Sequence, residues 1–301
     1  MARTWLITGI SRGLGHALAT AALEAGDRVI GTTRSGDAPE GLPGDLTVLP
    51  FEASDPEAAA RLATDAFGVH GRIDVLVNNA GYGLLGPIEE TDDKALRDLF
   101  EVNVFAPFRL IRAALPYLRA QGSGHIVNMA SIAGVAPSMG AGVYGATKAA
   151  LSAMSYSLAA EVSPFGLWVS VVSPGAFRTE FLGEESIRRT AAERAYRAVD
   201  EALANWSAND GRQAGDPALA AAAMLQLVEA DEPPLDLLLG QDALNRAEQR
   251  AERMAADIRD WRTISADTAH RPATTKTEII PAAFSAPRLR PSVHVGTLVG
   301  P

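Results

Sequence analysis

Short, nearly continuous apolar runs recur along the chain, separated by stretches whose apolar residues repeat in steps of three and four. The runs are Thr4–Thr8 (TWLIT), Arg28–Thr33 (RVIGTT), Leu46–Phe51, Ile73–Val77 (IDVLV), His125–Met129, Leu167–Ser173 (LWVSVVS) and Leu235–Leu239 (LDLLL). Helical patterns fill the intervals: Leu14–Ala25 closed by Gly26, about 55–67, 92–120, Gly142–Ser163, Pro217–Glu229, and a long one from Asp242. A strand with no polar face is buried on both sides. Strands of that kind alternating with helices predict an α/β fold with a parallel sheet covered on both faces.

The exceptions to the pattern are informative. Within 92–120 the sequence FEVNVFAPFRL holds Asn103 and, just beyond, Pro107, so a kink or break is expected between 103 and 107. Asp55 and Asp242 are placed to cap the helices that follow them. Leu244, Ala247, Ala251, Met254, Ile258 and Trp261 form a regular stripe, for which core contact is the first expectation and a subunit interface the second. From 181 to 216 the chain turns charged and alanine-rich, and its place between two core elements predicts a largely helical lid over the carboxyl edge of the sheet. After Ser265 come five prolines and no amphipathic period. One domain over 1–265 and a flexible tail over 266–301 are therefore expected.

Composition narrows the partners. A net charge of −9 over 301 residues argues against nucleic acid or an anionic membrane surface and for a small molecule. With no cysteine there is no thiolate or disulfide chemistry, and five scattered histidines show no metal-ligand spacing. No run reaches the roughly 18 apolar residues of a membrane span, and MARTWLITG lacks the charged and apolar regions of a leader, so a cytoplasmic protein is expected.

Candidate chemistry sits where strands end. TGISRGLG lies between the first strand and the first helix, with Gly9, Gly13 and Gly15 allowing backbone N–H groups and a helix N-terminus to approach a pyrophosphate. At the end of the second strand an acid would bind the ribose of NAD. Here Thr33 and Arg34 stand instead, with Arg12 in the glycine loop, and two guanidiniums favour the 2′-phosphate of NADP. The fourth strand ends in NNAG, Asn78–Gly81. The next delivers Ser131, and a helix from Gly142 would set Tyr144 and Lys148 on one face, a turn apart. A small face over Gly145, Ala146, Ala149, Ala150 and Ala153 permits close packing, within the domain or against a second subunit.

In their order and spacing TGISRGLG, NNAG, Asn103, Ser131, YGATK and PGAFRT resemble the short-chain dehydrogenase/reductase family, in its NADP-preferring form, over about residues 3–265. The resemblance implies a Rossmann-like doubly wound sheet of seven parallel strands ordered 3-2-1-4-5-6-7. It also implies hydride transfer between NAD(P) and a carbonyl carbon. By motif position it implies a catalytic set of Ser131, Tyr144, Lys148 and Asn103. Cofactor contacts are implied at Gly9, Ser11, Arg12, Gly13, Leu14, Gly15, Thr33, Arg34, Glu52, Asn79, Ala80, Gly81, Tyr144, Lys148, Pro174, Gly175 and Thr179. Glu52 departs from the aspartate usual there, and Asp55 is read as a helix cap instead. A homodimer or homotetramer is expected.

The chemistry follows from the residues as well. Reducing a ketone requires a hydride on carbon and a proton on oxygen. Tyr144 is the candidate acid, with Lys148 and the positive charge of an oxidised nicotinamide expected to draw its pKa downward from about 10. Ser131 is placed to hydrogen-bond the substrate oxygen, and Asn103 to hold Lys148 through backbone or water. Ser131, Ala133, Met139, Tyr144, Phe177 and Phe181, with Tyr82, Leu84 and Leu182, are expected to line an apolar pocket for a hydrophobic ketone or alcohol. NADPH-dependent ketone reduction is the leading expectation. Oxidation of a hydroxysteroid-like alcohol and a non-catalytic NADP(H)-sensing regulator are the alternatives.

Overall fold

The computed structural model describes residues 2–183, 186–190 and 196–268. Each apolar run becomes a strand: β1 (Thr4–Ile7), β2 (Arg28–Thr33), β3 (Asp45–Pro50), β4 (Val75–Asn78), β6 (Gly124–Met129), β7 (Leu167–Pro174) and β9 (Asp236–Leu239). They form one parallel sheet ordered β3-β2-β1-β4-β6-β7-β9. Counting main-sheet strands alone, this is the expected 3-2-1-4-5-6-7.

Helices cover both faces. On one lie α2 (Ala58–His70), α4 (Ala106–Gln121) and α6 (Gly142–Val162), burying Leu62, Phe67, Leu110, Leu118 and Leu158 against Leu6, Ile30, Leu76 and Ile126. On the other lie α1 (Gly13–Glu24) and α8 (Pro217–Glu229), where Leu18, Leu23, Met224 and Leu227 pack on Trp5, Ile7, Val29, Val77 and Val172. Each fully buried large apolar side chain contributes about 1.5–3 kcal/mol. The strands had to be apolar throughout because both of their faces are core.

A buried polar line crosses the sheet. Asn78 Nδ2 donates to Asn128 Oδ1 at 2.7 Å, Asn128 Nδ2 to Ser155 Oγ at 2.8 Å, and Ser155 Oγ to Leu151 O at 2.7 Å. Buried polar groups demand partners, so this line fixes α6 against β4 and β6 in one register.

The break near Asn103 is a π-helical turn, Glu101–Phe105, between α3 (Asp93–Phe100) and α4. Pro107 has no N–H to return to the carbonyl four residues earlier, that of Asn103. The chain widens, and Ala106 N–H reaches Glu101 O instead.

Four local expectations are corrected. The segment after Phe181 is not simply helical: β8 (Ile187–Arg189) pairs in parallel with β5 (Gly83–Leu85) before α7 (Arg197–Ala208). Three-residue strands are too short to show a period, so neither was visible. Asp55 accepts from Glu57 N–H in a turn, but Glu57, not Asp55, occupies the N-cap of α2. Asp242 lies inside the first turn of α9 (Gln241–Ala266), and its carboxylate goes to Ala176 N–H. The stripe on α9 is not core. Residues 1–255 and 256–301 form two separate units. In the first, Leu244 and Met254 are 39% and 51% exposed. In the second, described over 256–268, Ile258 and Trp261 are 54% and 46% exposed. An amphipathic period says which residues share a face, not what covers it.

The tail expected after 265 lies, from 269 on, outside the described residues. Among the described residues no helix is long and apolar enough to cross a membrane.

Candidate active site

The carboxyl ends of β1, β4, β6 and β7 meet at one edge, and the sequence-selected residues gather there. The glycine loop follows β1. Gly9 and Gly13 adopt φ of +74° and +65°, which side chains with a Cβ resist. The loop is held by the sequence-selected Asn79 and Ala80 together with Thr8 and Thr32, two threonines that sequence reasoning gave no role. Gly9 N–H donates to Thr32 Oγ1 at 3.1 Å, while Thr8 Oγ1 accepts from Asn79 N–H at 2.9 Å and Ala80 N–H at 3.0 Å. Asn79 Nδ2 donates to Thr8 O and Gly9 O at 2.9 and 2.8 Å. Asn79 and Ala80 thus lock the loop to the end of β4. Thr8 ends the apolar run beside Gly9, and that adjacency was the available signal.

The loop suits a dinucleotide pyrophosphate. Arg12 is the N-cap of α1 and makes no side-chain cap bond, and no acid stands in the first helical turn. The helix therefore presents its first N–H groups and the positive end of its dipole without a carboxylate to satisfy them. Ser11 is exposed, and Leu14 packs against the core beneath. Arg12 itself donates from Nε to Ser186 Oγ at 3.1 Å, across to the segment leading into β8. At the end of β2, Thr33 Oγ1 donates to Asp37 O and accepts from Gly36 N–H, with Arg34 exposed beside it. Glu52, exposed after β3, accepts from Ser54 N–H and Ser54 Oγ. After β7, Thr179 caps the turn Glu180–Leu182 and lies alongside Gly13.

Ser131 and Tyr144 come together through two glycines. Ser131 caps the short helix α5 (Ile132–Val135), its Oγ accepting from Ala133 N–H at 3.1 Å. A Cβ on Gly134 would stand 2.9 Å from Ala149 N, and one on Gly145 would stand 2.5 Å from Ala133 O. Only bare backbone lets α5 lie this close to α6. The small face predicted on α6 is therefore used within the domain at these positions.

Lys148 is 5% exposed, and its Nζ donates to Met129 O at 2.8 Å. It lies 5.9 Å from the centroid of the Tyr144 ring. Burial pushes the ammonium down to about 8. In the chain by itself, burial pushes the Tyr144 phenol up to about 12, while a hydrogen bond with Ser131 pulls the other way. Desolvation exceeds every attraction offered to the phenolate, so the group holds its proton at neutral pH. Asn103, 1% exposed, accepts from Tyr82 N–H at 3.1 Å and donates to Tyr82 O at 2.9 Å and Thr147 Oγ1 at 3.2 Å. A Cβ on Gly81 would lie 2.9 Å from Asn103 Oδ1 and 3.5 Å from Lys148 Nζ, so Gly81, Asn103 and Lys148 share one corner.

The expected apolar lining divides. The Phe181 ring stands 5.9 Å from the Tyr144 ring, and Met139 lies exposed on the loop between α5 and α6. Ala133 and Leu84 are buried in the cluster that holds Tyr144. Tyr82 packs on that cluster, with the Arg188 guanidinium 4.7 Å from its ring centroid. Leu182 joins a separate cluster with Leu85, Ala141, Ile187, Val199 and Leu203. Phe177 faces elsewhere: it packs on the core cluster between α1 and α8, against Gly215. Its position after β7 put it near the edge, but its ring fills the floor. Pro174 ends β7 and is buried, and Gly175 N–H donates to Leu239 O at 2.8 Å.

The sequence model of the short chain dehydrogenases matches residues 3–190. Oxidoreductase BOA17 of Botryotinia fuckeliana is 34% identical over 273 residues, covering 88% of this chain and 98% of that protein. A short-chain dehydrogenase structure from Streptomyces avermitilis is 40% identical with a TM-score of 0.83, covering 89% and 98% of the two chains. A metagenomic short-chain oxidoreductase in complex with NADP is 28% identical with a TM-score of 0.62, covering 79% and 96%.

Proposed function

The chain belongs to the short-chain dehydrogenase family of NAD(P)-dependent oxidoreductases, and on that premise we propose that it uses NADPH to reduce the carbonyl of a hydrophobic small molecule to a secondary alcohol. The observation that carries the reading is a buried phenol, Tyr144, beside Ser131 at the carboxyl edge of the sheet, with Lys148 Nζ 5.9 Å from its ring centroid. A protonated group at that spot is an acid in waiting.

A bound nicotinamide would supply the hydride to the carbonyl carbon. As charge develops on the carbonyl oxygen, Ser131 Oγ donates a hydrogen bond to it and Tyr144 Oη gives up its proton. Lys148, fixed by Met129 O, brings a positive charge near the phenolate left behind and offers N–H donors to the nicotinamide ribose. Asn103 braces the corner through Tyr82 and Thr147. The N-terminus of α1 and the glycine loop hold the pyrophosphate, and Thr179 the nicotinamide amide. Phe181 and Met139 exclude water beside Tyr144 and give the substrate its apolar wall.

Support for NADPH over NADH comes from Arg34 and Arg12 with no acid at the end of β2, and from the NADP carried by a solved relative. NADPH pools favour reduction, which supports that direction. Fluorescence titration with NADPH and NADH, followed by a panel of apolar ketones with NADPH, tests the reading. Tighter NADPH binding and turnover of at least one ketone are expected. Binding without turnover across a broad panel would replace the reductase with a cofactor-sensing regulator.

A further inference from the structure

The first turns of α9 reach both loops that frame the candidate site. Asp242 Oδ2 accepts from Ala176 N–H at 2.9 Å, on the loop between β7 and Thr179. The carboxylate sits so close that a Cβ on Gly175 would stand 2.2 Å from Asp242 Oδ1. One helical turn on, the Arg246 guanidinium donates from Nη2 to Ala136 O. Ala136 is the C-cap of α5 and opens the span that leads from Ser131 to Tyr144. Asp242 and Arg246 are i, i+4 neighbours and attract each other, and burial disfavours the Arg246 charge. A partly buried guanidinium given to one backbone carbonyl does little for solubility. Its effect is to hold that carbonyl in place.

We propose that Asp242 and Arg246 are positioning residues that set the width of the substrate entrance, Arg246 by tethering the 136–141 span and Asp242 by tethering the 175–179 loop. Neither touches the reacting atoms. Arg246 acts on the wall carrying Met139, and Asp242 on the wall carrying Thr179 and Phe181. Because both side chains leave one rigid helix, the two walls keep a constant separation. The kinetic part of this inference rests on the reductase reading, whereas the tethering itself does not.

Hydrogen–deuterium exchange on the full-length chain, without cofactor or substrate, tests the tethers directly. In Arg246→Met, amides of 132–141 are expected to exchange at least about fivefold faster while those of 174–179 stay unchanged. Asp242→Leu, which keeps the side-chain size but has no acceptor, should show the reverse. With a ketone substrate, Arg246→Met is expected to raise KM about tenfold with NADPH affinity held within about twofold, and Arg246→Lys to recover most of the loss. Unchanged exchange in both loops would overturn the proposal, as would faster exchange throughout the chain. Should Arg246→Met fail to fold, the Asp242→Leu exchange pattern decides. A wild-type protein inert toward every ketone would remove the reductase reading and leave the exchange result to judge the tethers.

Discussion

Acidification should weaken this protein through one buried imidazole, His125, on the strand that delivers Ser131. His125 is 5% exposed, and its Nε2 lies 2.9 Å from Ser170 Oγ. Ser170 gives its own proton to Pro234 O at 2.6 Å, so its oxygen must accept, and the histidine hydrogen sits on Nε2. A second proton would go to Nδ1 and place a charge inside the sheet. Burial accordingly pushes His125 down from 6.5 to about 4. Above pH 6.5 neither folded nor unfolded chain binds the proton, and the stability is complete. As pH falls below 6.5 the unfolded chain binds it first, and stability drains until the folded histidine also titrates near 4. That separation corresponds to about 3 kcal/mol in all, and about 2 kcal/mol by pH 5. Urea unfolding at pH 7.5 and 5.0 should show the wild type losing about 2 kcal/mol more than His125→Gln, whose amide can still donate to Ser170 and does not titrate. Carboxylates contribute equally to both proteins and cancel. Parallel losses in the two would refute the reasoning.

Tyr144→Phe should retain NADPH binding by fluorescence and lose at least about a hundredfold in kcat, since it removes the acid and leaves the cleft; near-normal turnover would sink the assignment. Thr33→Asp with Arg34→Ala should shift kcat/KM toward NADH, and an unchanged ratio of the two cofactors would count against the 2′-phosphate reading. Gly145→Ala gains about 1 kcal/mol of helix propensity but drives a methyl to 2.5 Å from Ala133 O. Overpacking against backbone costs about 1–3 kcal/mol, so a lower melting temperature and reduced kcat are expected, and a stabilised, fully active variant would contradict the close-packed seam.

The sheet was readable because burial on both faces forces an unbroken apolar run, and such a run survives in the sequence without its neighbours. Ser131 follows a strand end and Tyr144 and Lys148 share one helical face, so local spacing marked these three, whereas Asn103, in the π-helical turn, was singled out as a site residue by the family resemblance alone. What escaped depends on distant partners. Arg12 reaches Ser186 across 174 positions and Arg246 reaches Ala136 across 110. Phe177 turned into the core and the α9 stripe stayed exposed, because periodicity and apolar character fix a face without naming its cover. Burial opposes the downward shift expected of Tyr144 from Lys148 and an oxidised nicotinamide, and that opposition is invisible until the burial is known.

The seam between α5 and α6 also divides the chain into what can change and what cannot. Gly134 and Gly145 act as a clasp that closes the base of a span, with Ser131 before it and Tyr144 at its far end. Within 137–141, Ala141 is anchored in the cluster with Leu85, Ile187, Val199 and Leu203 and Gly140 O accepts from Gly86 N–H, which leaves Ser138 and Met139 between clasp and anchor. The side chains of those two can be exchanged without moving the hydroxyl or the phenol. On the reductase reading, substitutions at Ser138 and Met139 should therefore retune which substrate is accepted while Tyr144 stays where it is, which makes these two positions the natural place to re-engineer specificity.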